Sequence, residues 1–328
     1  ACVGAITLEL FLFFVLRRRS MKKEWGDVRA GFWGSLARFA LLKLKAHEEN
    51  PRNWRPHILV FAGEVEKRMS LIYLAFCFNQ KRGILTVCKL VVENLSQNKL
   101  KIGTEVEKMN SLLENENIFA FSEIDMVSDF ENGAITVTQA NGIAGLSSNT
   151  ILFGWSDKRE RMQTQIRIMR AVEKADKSTI IVRTEGFSRE NHKKRIDLWW
   201  RGKHRNSDTM LLLAYLLTLN SDWKGARIYL QTIVLHENDT EIMMKSLKEM
   251  IEEVRINAIP RVIVKPIEKT VIEIMREHSK DADVVFLGLH IPAEGKESEY
   301  VDRMDELSSG FNTTIFVRNG GQFDGDLL

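Results

Sequence analysis

Short β-rich runs alternate with helix-like segments along most of the chain from residue 55 onward. Near-continuous apolar runs such as VVFLGL and ILTV are typical of strands that are buried on both faces. The alternation predicts parallel sheets that are covered by helices. Strands are expected at Arg55–Phe61, Ile84–Val92, Ile118–Phe121, Asn149–Trp155, Thr179–Arg183, Arg195–Trp200, Ala226–Leu235, Arg261–Val264, Asp283–Leu289 and Thr313–Arg318.

The first five of these runs match the last five. NTILFGWSD, from Asn149, corresponds to DVVFLGLHI, from Asp283, and STIIVRTEG, from Ser178, corresponds to NTTIFVRNG, from Asn312, at the same offset. RPHILVF corresponds to RIDLWWR at a slightly larger offset. Matching segments at similar offsets predict an internal duplication. The fold class is therefore α/β, with two five-stranded parallel-sheet subdomains whose sheets pack side by side.

This duplication divides the chain into four predicted parts. Residues 51–186 and 187–328 are the two α/β subdomains, and the polar stretch Glu185–Lys194 is the expected linker between them. Residues 24–50 form an expected connecting helix. Residues 1–23 are the expected end of a membrane helix with its basic flank.

Residues 1–16 are apolar apart from Thr7 and Glu9, and Arg17, Arg18 and Arg19 follow at once. A signal peptide has its positive charges before the apolar stretch, which is the opposite order. A helix over residues 1–16 covers about 24 Å, short of the roughly 30 Å hydrocarbon core. Two interpretations stay open: the cytosolic end of a transmembrane helix that starts upstream, which we prefer, or a buried or interfacial helix. Because Lys and Arg accumulate on cytoplasmic flanks, the first interpretation places the residues after about 17 in the cytosol.

The following segment predicts a helix with one apolar side. Asp27 is a candidate N-cap, and apolar residues recur at intervals of three and four at Phe32, Leu36, Phe39, Ala40 and Leu44. Basic residues take up much of the remaining surface. Such a helix can rest on anionic lipid headgroups, pack on a partner helix, or pack on its own domain, and the sequence favours none of these over the others.

The charge of the chain is nearly balanced, with 47 basic and 44 acidic residues. A net charge of +3 argues against a dedicated nucleic-acid-binding protein. The basic excess is local, since residues 1–46 hold nine basic and three acidic residues. Three cysteines cannot form a disulfide framework, which favours a reducing compartment.

The chemistry-bearing motifs of common enzymes are missing from the sequence. There is no GxxxxGK[ST] loop, no GxGxxG after a strand, no GxSxG elbow and no HxxxH or HExxH pair. His57 falls in an apolar strand and is expected to be a hydrogen-bonded core residue. Cys77 and Cys88 have apolar surroundings and are expected to act as small hydrophobic residues. We therefore predict no catalytic residue, no cofactor and no metal site.

One strand-to-loop turn leaves an alternative open. The segment from Gly288 to Gly295 resembles the turn of the universal stress protein family, which binds adenine nucleotides. The Gly-Ser phosphate contact of that family is not reproduced at the corresponding Ser309–Asn312. A purely structural turn is preferred, and an adenine-nucleotide-sensing module is kept as the alternative function.

A series of signature segments, each rich in aromatic, charged or small residues, runs along the chain. In chain order they are EWGD, RFALLKL, NWRP (Asn53, Trp54, Arg55 and Pro56), GxxGxxxNTxL, IDxWW (with Asp197, Trp199 and Trp200), LLxxYLL and Trp223-Lys224. In this order they resemble the cation-chloride cotransporter family, where the last membrane helix gives way to the cytosolic C-terminal domain. EWGD and RFALLKL look most like the potassium-chloride branch. The chain lacks a long polar insert, which favours a compact, prokaryotic member.

The resemblance implies a cytosolic regulatory and dimerisation domain with universal-stress-protein-like halves. Electroneutral transport of K⁺ or Na⁺ with Cl⁻ would be the work of membrane helices that this sequence does not contain. The implied partners are the protein's own transmembrane domain, a second copy in a homodimer, and the membrane at the N-terminal end. Each signature also has a purely structural interpretation: Trp199 and Trp200 as core residues, LLLAYLL as a buried helix, and Asn53–Pro56 as a fixed entry to the first strand.

Overall fold

The computed structural model describes residues 28–45, 54–93, 102–143, 146–187, 193–201 and 205–321, together with Phe11. The chain divides into two compact units, Ala1–Glu48 and Glu49–Leu328. In the first unit, helix α1 spans Val28–Lys45. The second unit contains all the strands described below.

The strands of the second unit alternate with helices, as the sequence predicts. The strands are β1 (Ile58–Phe61), β2 (Leu85–Val92), β3 (Phe121–Val127), β4 (Gly142–Ile143), β5 (Leu146–Ser147), β6 (Thr150–Gly154), β7 (Ser178–Thr184), β8 (Arg195–Trp199), β9 (Arg227–Val234), β10 (Ala258–Val264), β11 (Val284–Gly288) and β12 (Thr313–Arg318). The helices are α2 (Met69–Asn79), α3 (Ile102–Asn115), α4 (Phe130–Ala140), α5 (Arg159–Glu173), α6 (Arg205–Thr218), α7 (Thr240–Val254), α8 (Val271–Ser279) and α9 (Glu297–Ser308).

A single ten-stranded sheet forms the centre of this unit, in the order β10-β9-β8-β11-β12-β7-β6-β1-β2-β3. The two five-stranded halves have the same internal order, in which the first strand lies between the second and the fourth. All neighbours within a half are parallel. The shared order supports the predicted duplication, and the two sheets are continuous rather than merely adjacent.

The halves join through an antiparallel pair of β7 and β12. Ile181 lies opposite Phe316 and Val182 lies opposite Ile315. A local two-fold axis passes through the Ile181–Phe316 pair, because β7 and β12 are equivalent strands of the two halves and these two residues are equivalent positions on them. Ser178 begins β7 and Thr313 begins β12, whereas the sequence comparison aligned Ser178 with Asn312, which lies just before β12. The strand starts are therefore shifted by one position from the offset that the sequence indicates.

Helices cover both faces of the sheet and close two apolar layers. One layer is formed with α2, α3, α6 and α7, and contains Ile58, Val60 and Trp223. The other is formed with α4, α5, α8 and α9, and contains Leu59 and Phe61. Alternation along β1 sends successive side chains to opposite layers. Burying each such side chain contributes about 1.5–3 kcal/mol, so the sheet is held mainly by these two layers.

One predicted strand is displaced along the chain, and one short ladder was not predicted. The third run is expected at Ile118–Phe121, but β3 spans Phe121–Val127. Ile118 is buried in the loop after α3, where its N–H donates to the carbonyl of Leu113 at 2.9 Å. The apolar letters IFAF therefore mark a loop anchor, and the strand itself has a polar sequence because it lies at the sheet edge. The short β4–β5 ladder has no counterpart among the sequence predictions.

Candidate functional site

The segment that enters β1 is held by two asparagine side chains. Asn149 accepts at Oδ1 from the N–H of His57 (3.0 Å) and donates from Nδ2 to the carbonyl of Arg55 (2.7 Å). Asn79 donates to the carbonyl of Pro56 at 3.1 Å. Two signature segments of the sequence, NWRP and NTxL, are thus hydrogen-bonded to each other. This arrangement agrees with the structural interpretation of NWRP, which fixes the entry to the first strand.

The second half repeats this arrangement. Asp283 accepts at Oδ2 from the N–H of Arg195 (2.7 Å), and its own N–H donates to the Arg195 carbonyl (2.9 Å). In the first half, the N–H of Asn149 donates to the carbonyl of His57 at 3.0 Å. Each half therefore ties the start of its first strand to the residue before its fourth strand, a duplicated contact that the sequence does not reveal.

His57 fits the prediction of a hydrogen-bonded structural histidine. Its Nδ1 accepts from the N–H of Ile84 at 3.1 Å, which connects the starts of β1 and β2.

Asp197, the acidic residue of IDxWW, is fully buried on β8. Its two oxygens accept from Nε and a terminal nitrogen of Arg195, at 2.8 and 2.9 Å. The hydroxyl of Ser279, the last residue of α8, donates to the same carboxylate at 2.7 Å. Arg195 also donates to the carbonyl of His278 at 2.6 Å. A buried ion pair of this kind is stable only when its hydrogen bonds are completed, as they are here.

The two tryptophans of IDxWW point to opposite layers, as expected for neighbours on a strand. Trp199 is buried in the layer of α8, and its indole N–H donates to the Ser279 hydroxyl at 3.1 Å. Gln231 donates to the same hydroxyl at 3.3 Å. Trp200 is buried in the layer of α6. Both residues are core residues, and Trp199 completes the polar network around Asp197.

Doubly wound sheets usually bind ligands in the crevice where the strand order reverses, beyond the carboxyl ends of the strands. In the first half this crevice lies between β1 and β6, and Arg68 fills it by donating to the carbonyl of Trp155 at 3.0 Å. A Cβ atom at Gly154 would lie 2.6 Å from the Arg68 guanidinium. The ligand position of this half is thus occupied by the protein's own side chain.

The crevice of the second half, between β8 and β11, is filled in an equivalent way. Asn206 donates from Nδ2 to the carbonyl of Leu289 at 2.5 Å and accepts at Oδ1 from the N–H of Asn319 at 2.9 Å. Its side chain approaches a Cβ position on Gly288 to 3.4 Å. Arg68 and Asn206 stand at equivalent places, before or at the start of the first α-helix of each half.

The loop that begins at Gly288 also packs against the side chain of Arg170. Arg170 of the first half donates to the carbonyls of Pro292 and Ala293, at 3.0 and 3.3 Å, and forms an ion pair with Glu297 at 2.6 Å. These contacts favour the structural interpretation of the turn over a phosphate-binding one.

His290 in this loop packs edge-on against Tyr300, with ring centroids 4.5 Å apart. Desolvation and the nearby charge of Arg303 lower the pKa of His290.

The described residues do not assemble a metal centre. Among them, no group of three His, Cys, Asp or Glu side chains is placed to hold a metal ion. Cys77 and Cys88 are buried. Burial raises the pKa of the Cys88 thiol, and the adjacent Asp125 adds to the effect, so this sulfur is not an activated nucleophile.

Contacts between the halves are the feature that sequence reasoning missed. On one face Tyr73 donates to the carboxylate of Asp222 at 2.5 Å. Phe187, from the expected linker, packs between Tyr73 and Trp223, with centroid distances of 5.9 and 6.4 Å. Gln80 donates to the carbonyl of Leu216 in LLLAYLL at 2.8 Å. No local sequence pattern marks these residues, because their partners lie in the other half of the chain.

On the other face, two arginines bridge the halves. Arg183 at the end of β7 donates to Asp305 Oδ1 (2.6 Å) and to the hydroxyl of Ser308 (2.9 Å), both on α9. Arg318 at the end of β12 donates from Nε to Glu173 on α5 at 2.8 Å. We call these two contacts the arginine bridges.

Helix α1 of the first unit presents large apolar residues to solvent. Phe32, Trp33, Phe39 and Leu42 are all about 60% exposed within the chain. Trp33 and Leu42 extend the apolar surface beyond the stripe that the sequence predicts. The helix carries four basic residues and no acidic one. Its predicted cap, Asp27, lies outside the described residues.

The predicted membrane segment cannot be compared with the structure. Residues 1–16, except Phe11, and Arg17, Arg18 and Arg19 lie outside the described part of the chain, as does Asn53. Within the part that is described, no helix combines the length and apolar character needed to cross a bilayer.

Comparison with known proteins gives a consistent result. The family model of solute carrier family 12 matches residues 68–169 and 156–272. The chain is 25% identical over 345 residues to "Potassium/chloride cotransporter 3" of Caenorhabditis elegans, in an alignment that covers 98% of this chain and 30% of that protein. The chain therefore spans less than a third of the length of that relative.

Solved structures share the fold. The cytoplasmic domain of a prokaryotic cation chloride cotransporter has a TM-score of 0.61 at 17% identity, and the match covers 84% of this chain and 99% of that one. A universal stress protein from Archaeoglobus fulgidus has a TM-score of 0.50 at 13% identity, over 83% of this chain and 99% of that one. Both confirm the predicted α/β architecture.

Proposed function

This chain belongs to solute carrier family 12, and we propose from that premise that it is the cytosolic regulatory and dimerisation domain of a cation-chloride cotransporter. The observation that carries the proposal is the family match, which extends from residue 68 to residue 272 across both halves of the sheet. Cotransport of K⁺ or Na⁺ with Cl⁻ would then be carried out by a membrane domain joined to this chain. The cytosolic location and the homodimer are parts of the same proposal.

The fold suits a domain that transmits a conformational change rather than one that catalyses a reaction. A continuous sheet, the arginine bridges and Phe187 join the halves, so a displacement of one half moves the other. The segment at 24–50, which contains α1, would connect this body to the membrane part. In this mechanism the signature residues Trp54–Pro56, Asp197, Trp199 and Trp200 act structurally by fixing the strands.

Catalysis and nucleotide sensing are not part of the proposed function. Arg68 and Asn206 occupy the two crevices in which doubly wound sheets bind ligands. We expect neither ATP nor AMP at millimolar concentration to raise the melting temperature of the chain. A rise with either nucleotide would favour the sensing module instead, because a ligand that binds the folded state stabilises it.

The dimer is tested by light scattering or sedimentation of the chain in a mild detergent that keeps residues 1–16 in solution. We expect a dimer at high micromolar concentration. A strict monomer under those conditions would count heavily against a dimerisation domain.

Regulation is tested in the transporter that contains this chain. Replacing Arg183 and Arg318 by alanine removes the arginine bridges and weakens the interface between the two halves. We therefore expect rubidium uptake by the transporter to change, while the amount of transporter at the cell surface stays the same. Lys296→Ala, which removes an exposed pair with Glu299, is the control. Unchanged rubidium uptake in the double variant would contradict the proposal that conformational change passes through the interface between the halves.

A further inference from the structure

The ten-stranded sheet ends at two outer strands, β3 and β10. Within the described residues β3 pairs with β2 alone, so one row of its backbone N–H and C=O groups has no strand beside it. We propose that this free edge of β3 binds an extended, basic peptide segment of a partner protein by strand addition. This inference is independent of the proposed dimer, and it assigns an interaction surface to the first half.

The two outer strands differ in how well they can accept another strand. β3 has seven residues, FSEIDMV, without proline. β10 carries Pro260, which lacks the N–H that an added strand would need. Arg261 beside it stacks on Tyr229, with its guanidinium carbon 3.9 Å from the ring centroid. β10 thus carries a proline that blocks an added strand, whereas β3 is protected only by its acidic side chains, which repel strands of like charge and not a basic one.

The negative charge of β3 indicates that the peptide bound at this edge is basic. Glu123 and Asp125 lie two residues apart and therefore on the same face of the strand. Neither forms an ion pair within the described part of the chain; Glu123 accepts from Asn141 at 3.4 Å and Asp125 from the Cys88 thiol at 3.5 Å. A strand added beside β3 would place its alternate side chains opposite these carboxylates, where Lys or Arg is favoured.

The surroundings of β3 are acidic as well. The sequence from Glu114 to Glu131 contains six acidic residues and no Lys or Arg. Asp129 caps α4 and Glu131 pairs with Arg167 at 2.7 Å, so these carboxylates have partners within the chain. The carboxylates on the strand itself remain the strongest attraction for a basic segment.

Two exposed aromatic residues at the start of β3 add an apolar contact. Phe119 is 70% exposed and Phe121 is 66% exposed. Lys81 lies over the ring of Phe119 at 5.1 Å, so a face of that ring already has a partner and we assign the apolar contact to Phe121. Phe121 shares its face with Glu123. The fitting segment therefore has basic residues at alternate positions followed or preceded by an apolar residue.

A second copy of the chain is a poorer occupant of this edge. Two β3 strands paired antiparallel about Ile124 would place Glu123 of each copy opposite Asp125 of the other. Like charges at directly opposed positions are destabilising. The geometry therefore favours a partner of opposite charge.

The experiment uses the full chain and a blocked peptide of about nine residues, in which threonine and lysine alternate and one phenylalanine follows. Binding is measured by calorimetry, and hydrogen–deuterium exchange locates it. We expect micromolar affinity and slower exchange of the β3 amides, because an added strand protects the backbone of the edge. Binding without protection of residues 121–127 would overturn strand addition.

Matched variants test the role of charge. Glu123→Lys with Asp125→Lys should weaken binding by at least about tenfold, equivalent to about 1.4 kcal/mol. Glu249→Lys with Glu252→Lys changes the net charge equally on α7 and should leave the affinity within about twofold. Equal losses in both double variants would overturn the proposal.

The same peptide with a central proline separates strand addition from general charge attraction. It keeps every lysine but cannot continue a backbone ladder. We expect it to lose the protection of β3 and most of its affinity. Equal binding of both peptides would contradict the proposal. Self-association of the chain that prevents the peptide from binding would contradict it as well.

Discussion

Arg183 and Arg318 occupy equivalent positions in the two halves, and each binds the last helix of the opposite half. Arg183 is the next-to-last residue of β7 and binds Asp305 and Ser308 on α9, while Arg318 is the last residue of β12 and binds Glu173 on α5. The exchange is reciprocal because β7 and β12 pair about a local two-fold axis. The arginine bridges therefore oppose the same motion, a separation of the two halves, from both sides of the axis.

Arg183→Ala should destabilise the chain more than Arg318→Ala. Arg183 makes two hydrogen bonds to α9 and lies 5.0 Å over the ring of Trp155, whereas Arg318 binds one carboxylate. We expect losses of about 1–2 and about 0.5–1 kcal/mol in urea denaturation. Lys296→Ala, at an exposed pair, should change the free energy of unfolding by no more than a few tenths of a kcal/mol. A larger loss for Lys296 than for Arg183 would contradict the interpretation.

Replacing Asp197 should be among the costlier single changes in this chain. The carboxylate is fully buried, and removing it leaves the Arg195 guanidinium without its bidentate partner. We expect Asp197→Ala to lower the free energy of unfolding by about 3–5 kcal/mol. Asp281→Asn, on an exposed residue shortly before the fourth strand of that half, is the control and should be nearly neutral. The comparison requires chemical denaturation of both variants, and similar midpoints for the two would show that the network is dispensable.

Two glycines should respond to alanine in opposite directions. A Cβ atom at Gly83 would overlap the carbonyl oxygen of Pro56, a backbone atom that cannot withdraw easily. A Cβ atom at Gly103, in α3, would meet nothing within 4 Å. We expect Gly83→Ala to cost about 1–3 kcal/mol and Gly103→Ala to stabilise by up to about 1 kcal/mol. Thermal unfolding of the two variants measures the contrast, and a stable Gly83→Ala would mean that the NWRP segment shifts freely.

The edge carboxylate Glu123 should make stability depend on pH. Burial, and then repulsion by Asp125, raises the pKa of Glu123 above its usual 4.5. The folded state therefore binds the proton more tightly, and this contribution to stability is complete below the unfolded pKa and lost as pH rises through the folded pKa. Glu123→Gln should raise the urea midpoint at pH 7, and the gain should vanish below about pH 4. A gain that persists at low pH would point to a cause other than ionisation.

The sequence is sufficient to predict most of the strands, because a parallel strand buried on both faces has a continuous apolar sequence. ILVF in β1 and VVFLG in β11 are examples. The prediction is wrong where burial is one-sided. β3 lies at the edge, so its polar residues hide the strand while the buried loop residue Ile118 imitates one.

The joint between the halves could not be predicted in the same way. A duplication implies two similar units but does not determine how they meet, since that depends on pairs such as Ile181 and Phe316, which lie in different halves of the chain. The residues that fill the crevices could not be recognised from the sequence either. Arg68 and Asn206 are ordinary polar residues near a helix start, and only the fold shows that they reach the neighbouring strand's loop.

The antiparallel pair of β7 and β12 has a consequence for any shortened form of the protein. All of its backbone bonds run between the halves, and none requires the covalent connection between them. A chain nicked between β7 and β8 would persist as a noncovalent heterodimer of its two fragments. A product truncated after β7 would leave one edge of β7 without a partner strand. Two copies would then pair through β7 in a symmetric dimer, with Ile181 near the new two-fold axis.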